Sequence, residues 1–417
     1  MSERTSPLAI LRNRSLMILA SGHFTVDMYV GLLPVLYPVL TDRFELDLAT
    51  VGLVTLAYSG MASVSQPFFG WLADRYGTRF TGAALLWSAL LFSTIGFAPT
   101  FPILLVLAAL AGLGSGAFHP FGALNANAVI PDRDRNTAMS VYVTGGTLGV
   151  ALGPIIGAVL FSVFGMRGTA VMLLPGASIA VWLLFAMKTV SLPGNRHKPG
   201  AIHTNPPKVP IFVISIVTAV MMLRMLPPMS LQTFIPVWYE DLGYSASFYG
   251  ALATTVVLAS AAGTIGAGNL ADRHGRRAVI LGTIVLSLPA IWAFAEFPGP
   301  WAFVTGALVG FLAASTAPLL LVMAQQLMVG RAGVASGLLL GLGFVAAAIA
   351  TPIFGAIADA IGMQNAIRTQ IAVVAFTFVV AWFLPTEDQI RALSERRPEP
   401  TEGSPTPARA STASPQA

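Results

Sequence analysis

The sequence predicts an all-α membrane protein, with twelve transmembrane helices in two pseudo-symmetric six-helix bundles. Three observations predict it. The 417 residues are 55% hydrophobic and only 10% charged, and mean hydropathy is +0.75. A soluble domain carries about 25% charge, so this chain cannot cover a soluble surface. Second, apolar runs of the roughly 20 residues needed to cross a bilayer core recur twelve times. Third, the chain repeats itself at a fixed offset. Gly70-Trp-Leu-Ala-Asp74-Arg75-Tyr-Gly77-Thr-Arg79 returns as Gly268-Asn-Leu-Ala-Asp272-Arg273-His-Gly275-Arg-Arg277. In the same register Pro38 meets Pro236, Gly52 meets Gly250, Gly112 meets Gly310, Pro120 meets Pro318, Pro154 meets Pro352 and Gly157 meets Gly355. No gap is needed, which points to a duplicated half.

In order, the spans are about 16–40, 48–69, 80–98, 103–128, 137–164 and 168–187, then 210–239, 246–268, 278–296, 301–327, 334–360 and 366–385. Residues 1–187 form the first half and 210–385 the second. Residues 188–209 form a polar central loop. Residues 386–417, ending in a run rich in Pro, Ser, Thr and Ala, lack the apolar content to fold and are expected to be disordered. Prolines inside spans, such as Pro34, Pro120 and Pro227, are tolerated where neighbours re-satisfy the freed carbonyls. The polar, basic start carries no cleavage site, so the first apolar segment is expected to be a spanning helix and not a removable signal.

Lys and Arg give the orientation. Nineteen of the 23 fall in segments that are cytoplasmic if the N-terminus is; the exceptions are Arg43, Arg167, Arg224 and Arg368. Both termini are therefore expected in the cytoplasm, with the chain in the inner membrane. The basic balance is a topology signal that interacts with membrane lipid, and no basic module for nucleic acid is present. There is no cysteine, so disulfides and thiolate metal sites are excluded.

The loop pattern Gly-x-Leu-Ala-Asp-Arg-x-Gly-x-Arg between spans 2 and 3, with its copy between spans 8 and 9, resembles the signature of the major facilitator superfamily. The resemblance implies a secondary transporter of two six-helix halves, with substrate crossing at the midplane by alternating access. Gly70 and Gly268 are expected to let helices approach closely. Asp74 and Asp272 are expected to bind a neighbouring helix N-terminus or an Arg as a conformational latch. Arg75, Arg79, Arg273 and Arg277 lie at headgroup depth. Span 5 carries Gly145, Gly149, Gly153-Pro154 and Gly157, a small-residue face for close packing. It is similar to the span-5 motif of drug/proton antiporters, with Ala158 in place of the last glycine. His23-Phe-Thr-Val-Asp27-Met28 in span 1 and Gly114-Ser-Gly-Ala-Phe118-His119-Pro120 in span 4 resemble the fosmidomycin-resistance branch of efflux transporters. Val26 and Phe121 depart from that branch's usual Asn and polar residue.

Ionisable groups inside a bilayer are costly and mark function. Asp27 lies mid-span 1 with His23 one turn earlier, His119 lies in span 4, and Arg224 lies mid-span 7. The repeat sets Met225 opposite Asp27, so Arg224 is expected to face Asp27 across the central cavity. These four are the candidate proton-coupling and substrate residues, with His23 an orienting partner. Asp359, near the end of span 11, reads as interfacial.

No nucleotide-binding loop, metal motif or nucleophile elbow appears, so no cofactor, no metal and no enzymatic constellation is expected. The expected partners are a small-molecule substrate and protons, with no obligate protein partner evident. The reading is proton-coupled efflux of a small antibiotic-like or metabolite molecule. The alternatives are proton-coupled uptake of a small metabolite, or a non-transporting membrane sensor or scaffold.

Overall fold

The computed structural model describes residues 12–129, 135–190, 209–328 and 332–395. The central loop and the end of the tail fall largely outside them. All regular structure among the described residues is helical. The first half contains α1 (Arg14–Phe44), α2 (Leu48–Thr55), α3 (Met61–Tyr76), α4 (Thr81–Thr94), α5 (Phe101–Ala128), α6 (Arg135–Phe164) and α7 (Leu173–Val190). The second contains α8 (Ile211–Asp241), α9 (Ala246–His274), α10 (Arg276–Glu296), α11 (Ala302–Ala314), α12 (Ala317–Leu327), α13 (Ala332–Ile361) and α14 (Met363–Ala381), followed by α15 (Glu387–Glu395).

Ten of these stretches are long and apolar enough to cross a bilayer, and Thr81–Phe97 is a shorter apolar helix. One stretch, Val141–Val190, is 50 residues long. As a straight helix it would measure about 75 Å, over twice a hydrocarbon core. It instead turns back at the 3₁₀ segment Gly165–Met172, which opens on Gly165 at φ +55°. Gly168 then seats its Cα against the Leu160 carbonyl. The twelve expected crossings follow. Two are interrupted: α2 and α3 join through the π turn Leu56–Gly60, and α11 and α12 break before Pro318. The outward faces carry bare apolar side chains such as Val163, Leu174, Phe185 and Phe383, as a lipid solvent requires.

The repeat is a structural symmetry. Gly112 packs on the Tyr58 carbonyl, and its counterpart Gly310 packs on Val256, the counterpart of Tyr58. Between the halves the contacts exchange. A Cβ on Gly52 would meet the Pro352 Cα at 3.0 Å, and one on Gly250 would meet the Pro154 carbonyl at 2.9 Å. Each glycine thus touches the other half's copy of one proline, the mark of a pseudo-twofold axis. These contacts lie at the face remote from the termini, the distal face.

The loop motif ends both helices the same way. Gly77 closes α3 at φ +82°, ψ −178°, and Gly275 closes α9 at φ +82°, ψ +147°. Only glycine occupies that region comfortably. The expected close approach at Gly70 and Gly268 is corrected. A Cβ at Gly70 would only graze Pro120 at 4.0 Å, and one at Gly268 would meet nothing within 4 Å. The side chains of Asp74 and Asp272 lie outside the described residues. The expected disorder from 386 onward also needs correction: α15 is a helix, because Glu387 accepts from the Arg276 N–H at 2.6 Å and Ile390 is buried. Residues 396–417 lie outside the described residues.

Candidate functional site

Asp27 sits near the middle of α1, and its carboxylate joins two helices. Its Oδ2 is 3.2 Å from Nε2 of His23, at i−4 on the same face, and its Oδ1 is 3.1 Å from Nε2 of His119 on α5. The side chains are 10%, 15% and 28% exposed for His23, Asp27 and His119. The fold brings together these three of the four expected residues.

Hydrogen counting shows what this cluster can do. His23 Nδ1 lies 2.9 Å from the Tyr142 carbonyl, and His119 Nδ1 lies 2.7 Å from the Ser115 carbonyl. A carbonyl only accepts, so both Nδ1 atoms donate. Each Nε2 then carries a lone pair in the neutral ring or a proton in the imidazolium. Each Nε2 contact to the carboxylate needs one proton. Two protons among the three groups satisfy both contacts and give a net charge of +1. With none, two lone pairs face a carboxylate at a net charge of −1. The cluster's geometry is therefore tied to its proton content. A divalent cation would require the same atoms deprotonated; spacings of 3.1 and 3.2 Å are already those of hydrogen bonds.

The glycines of α6 set this geometry. A Cβ at Gly145 would stand 2.6 Å from the Ala20 carbonyl, one at Gly153 would stand 2.7 Å from the Gly31 Cα, and one at Gly149 would overlap the Phe24 carbonyl. Gly157 lies against Leu32. The stripe, with Pro154, is thus the seat for α1. Gly146, outside the expected set, and Tyr142, an expected aromatic lining residue, complete the site. A Cβ on Gly146 would collide with Asp27 Oδ2 and approach His23 Nε2 to 2.6 Å. The Tyr142 ring stacks on His23 with centroids 4.4 Å apart. The paired Gly145-Gly146 was the available signal, since a packing stripe needs only one of them.

Arg224 does not face Asp27, which corrects the symmetry argument. Its Nη2 donates to the carbonyls of Leu312 at 2.7 Å and Ala313 at 3.2 Å, its Nε to Thr316 at 3.2 Å, and its Nη1 to Ser287 at 3.4 Å. It is 2% exposed. The guanidinium caps the end of α11 beside the Ser315 and Thr316 hydroxyls, which bond the same carbonyls, where the helix break frees carbonyls from the helical ladder and the helix dipole is negative. One step of register from Met225 turned it into the packed half. In the loop motifs, Arg75 lies over Trp71, Arg79 over Phe80, and Arg277 donates to the Trp382 carbonyl at 2.6 Å. Arg273 is exposed.

The family model of the Major Facilitator Superfamily matches residues 19–237 and 212–415. The chain is 29% identical over 387 residues to the Uncharacterized MFS-type transporter YfnC of Bacillus subtilis, covering 90% of this chain and 94% of that protein. It is 29% identical over 353 residues to the Fosmidomycin resistance protein of Escherichia coli, covering 81% and 84%. A crystal structure of a bacterial homolog to the human lysosomal transporter Spinster has the same fold, with a TM-score of 0.74 at 15% identity, covering 89% of this chain and 97% of that one. The chain is a multi-pass membrane protein that belongs to the major facilitator superfamily and resembles its fosmidomycin-resistance branch.

Proposed function

We propose that the protein is a proton-coupled efflux transporter of the inner membrane, and not an enzyme, exchanging a small antibiotic-like or metabolite molecule for incoming protons. The observation that carries this reading is the His23–Asp27–His119 cluster in the middle of the first half. Ionisable groups at that depth are costly unless they work, and this cluster changes net charge from +1 to −1 as two protons leave. Substrate arriving in the cavity competes with the protonated arrangement. Rocking of the halves exposes the cluster to each face in turn.

The terminal face is cytoplasmic in this reading, as the Lys and Arg distribution requires. The distal contacts then close the outside, leaving the conformation open to the cytoplasm. Asp74 and Asp272 would latch the terminal face in the opposite state. Arg224 supports the wall of the second half from behind and takes no proton.

The test is a resistance panel in a bacterium stripped of its main efflux pumps, with fosmidomycin among unrelated compounds. Wild type and Asp27→Asn are expressed at matched membrane levels. Protection by wild type that disappears in Asp27→Asn is expected. Protection that survives the substitution removes Asp27 from the mechanism. No protection against any compound would direct the work to uptake, measured in proteoliposomes.

A further inference from the structure

The first turn of α2 is capped from the other half of the molecule. A helix leaves its first backbone N–H groups without intrahelical partners. In α2 the Thr50 N–H donates to Asp47 Oδ1 at 2.7 Å, and the Val51 N–H donates to the Asp47 carbonyl at 3.0 Å. Asp47, outside the span, is held below the usual carboxylate range by the Thr50 hydroxyl and N–H, so it stays ionised. The remaining two donors reach across the seam. Leu48 N–H donates to Asp359 Oδ1 and Ala49 N–H to Asp359 Oδ2, each at 2.9 Å. Asp359 belongs to α13, so one carboxylate bridges the two halves with both oxygens. Beside it Gly355 seats on the Leu48 carbonyl.

Among the described residues the pseudo-symmetric seam has no such bond. The counterparts of Asp359 and Leu48 are Phe161 and Ala246, and there α6 and α9 meet through Gly250 and Ala158. The distal face is therefore closed by apolar packing on one seam and by a charge on a helix N-terminus on the other. Asp359 is exposed there, and parting the halves breaks both of its bonds to the N–H groups at once, with water taking their place.

We infer that Asp359 is the distal latch, a positioning residue that holds the outer face closed and sets the resting balance between the two access states. This rests on the reading that the halves rock against each other. It does not depend on what is transported or on the proton cluster.

The chain has no cysteine, so spin labels can be placed without removing any. Arg43→Cys and Ile361→Cys, both exposed near the distal ends of α1 and α13, give a distance across the seam by double electron–electron resonance in nanodiscs without substrate. Asp359→Ala is expected to raise the population at long distance about tenfold, since bonds to a charged acceptor are being removed. Leu48→Pro deletes one donor and leaves Asp359 in place. Proline fits the first helical position, and Asp47 at φ −76°, ψ 168° suits a residue before proline. It should shift the distribution the same way by a smaller factor. An unchanged distribution in Asp359→Ala overturns the assignment; if that variant does not fold, an unchanged distribution in Leu48→Pro overturns it. Neither result bears on Asp27, whose test is transport.

Discussion

The two halves share a frame and differ in what they hang on it. In the first, His23, Asp27 and His119 meet within hydrogen-bonding distance. The counterparts in the second are Met221, Met225 and Ala317. Gly145 packs on the Ala20 carbonyl, whereas a Cβ at its counterpart Gly343 would stand 3.3 Å from Met221 Cγ and 3.5 Å from Met225 Cγ. Gly52, Gly112, Gly145, Gly157, Pro120 and Pro154 have their counterparts in the second half, whereas Gly149 and Gly153 are replaced by Ala347 and Thr351, and the His–Asp–His cluster occurs in the first half only. The difference teaches that the one cluster of facing imidazole and carboxylate groups among the described residues belongs to one half. The second half has soft, adaptable thioethers at those positions, with Arg224 bonded into its own half at Leu312, Ala313, Thr316 and Ser287.

That contrast can be broken at several points. The largest effect is expected at Asp27. Asp27→Asn removes the acceptor shared by both imidazoles and should lower proton-driven transport by a factor of about 100 or more, within the range general for a lost proton-transfer group. It should also flatten the dependence of transport on external pH. Retained pH dependence would move the coupling elsewhere. Gly146→Ala comes next. Its new methyl must push Asp27 or His23 aside, so transport should fall about tenfold or more with the fold intact, read as transport rate against unchanged thermal unfolding.

Arg224→Met should show the opposite pattern. It removes the charged donor from the Leu312 and Ala313 carbonyls, which keep only the Ser315 and Thr316 hydroxyls, at about 1.5–3 kcal/mol for hydrogen bonds to a charged group. Thermal unfolding in detergent should therefore drop, while the pH profile of the surviving transporter stays that of wild type. A displaced pH profile would restore Arg224 to the coupling site. The smallest effect is expected at Met225→Leu, a nearly volume-conserving change costing less than about 1.5 kcal/mol. Transport indistinguishable from wild type in its pH dependence would sharpen the contrast between the walls.

Much of this was readable in the sequence, for physical reasons. Bilayer thickness fixes span length, so composition and apolar runs yielded the twelve crossings, and the glycine and proline register yielded the two halves. His23 and Asp27 share a helix face at a spacing of four, which any helix brings together. His119 needed the fold, although its depth was set by Pro120 and its span. Arg224 was misplaced because one residue of helix rotates a side chain by about 100°, and symmetry of position is not symmetry of direction. Asp359 was readable as a charge near a span end, but its partners are backbone N–H groups more than 300 positions away. Backbone donors leave no mark in a sequence. Gly146 is marked only by standing beside Gly145, a pair that a packing stripe does not need, and the sequence does not say that it faces a carboxylate.

The most direct test of the central account uses everted membrane vesicles from a pump-deficient strain, energised to an acid interior and followed with a pH-sensitive dye. Fosmidomycin and the compounds of the resistance panel are added in turn. With wild type, at least one compound should collapse part of the proton gradient; with Asp27→Asn at matched levels, the same compound should leave it standing. An equal collapse in both would contradict proton exchange through the His23–Asp27–His119 cluster.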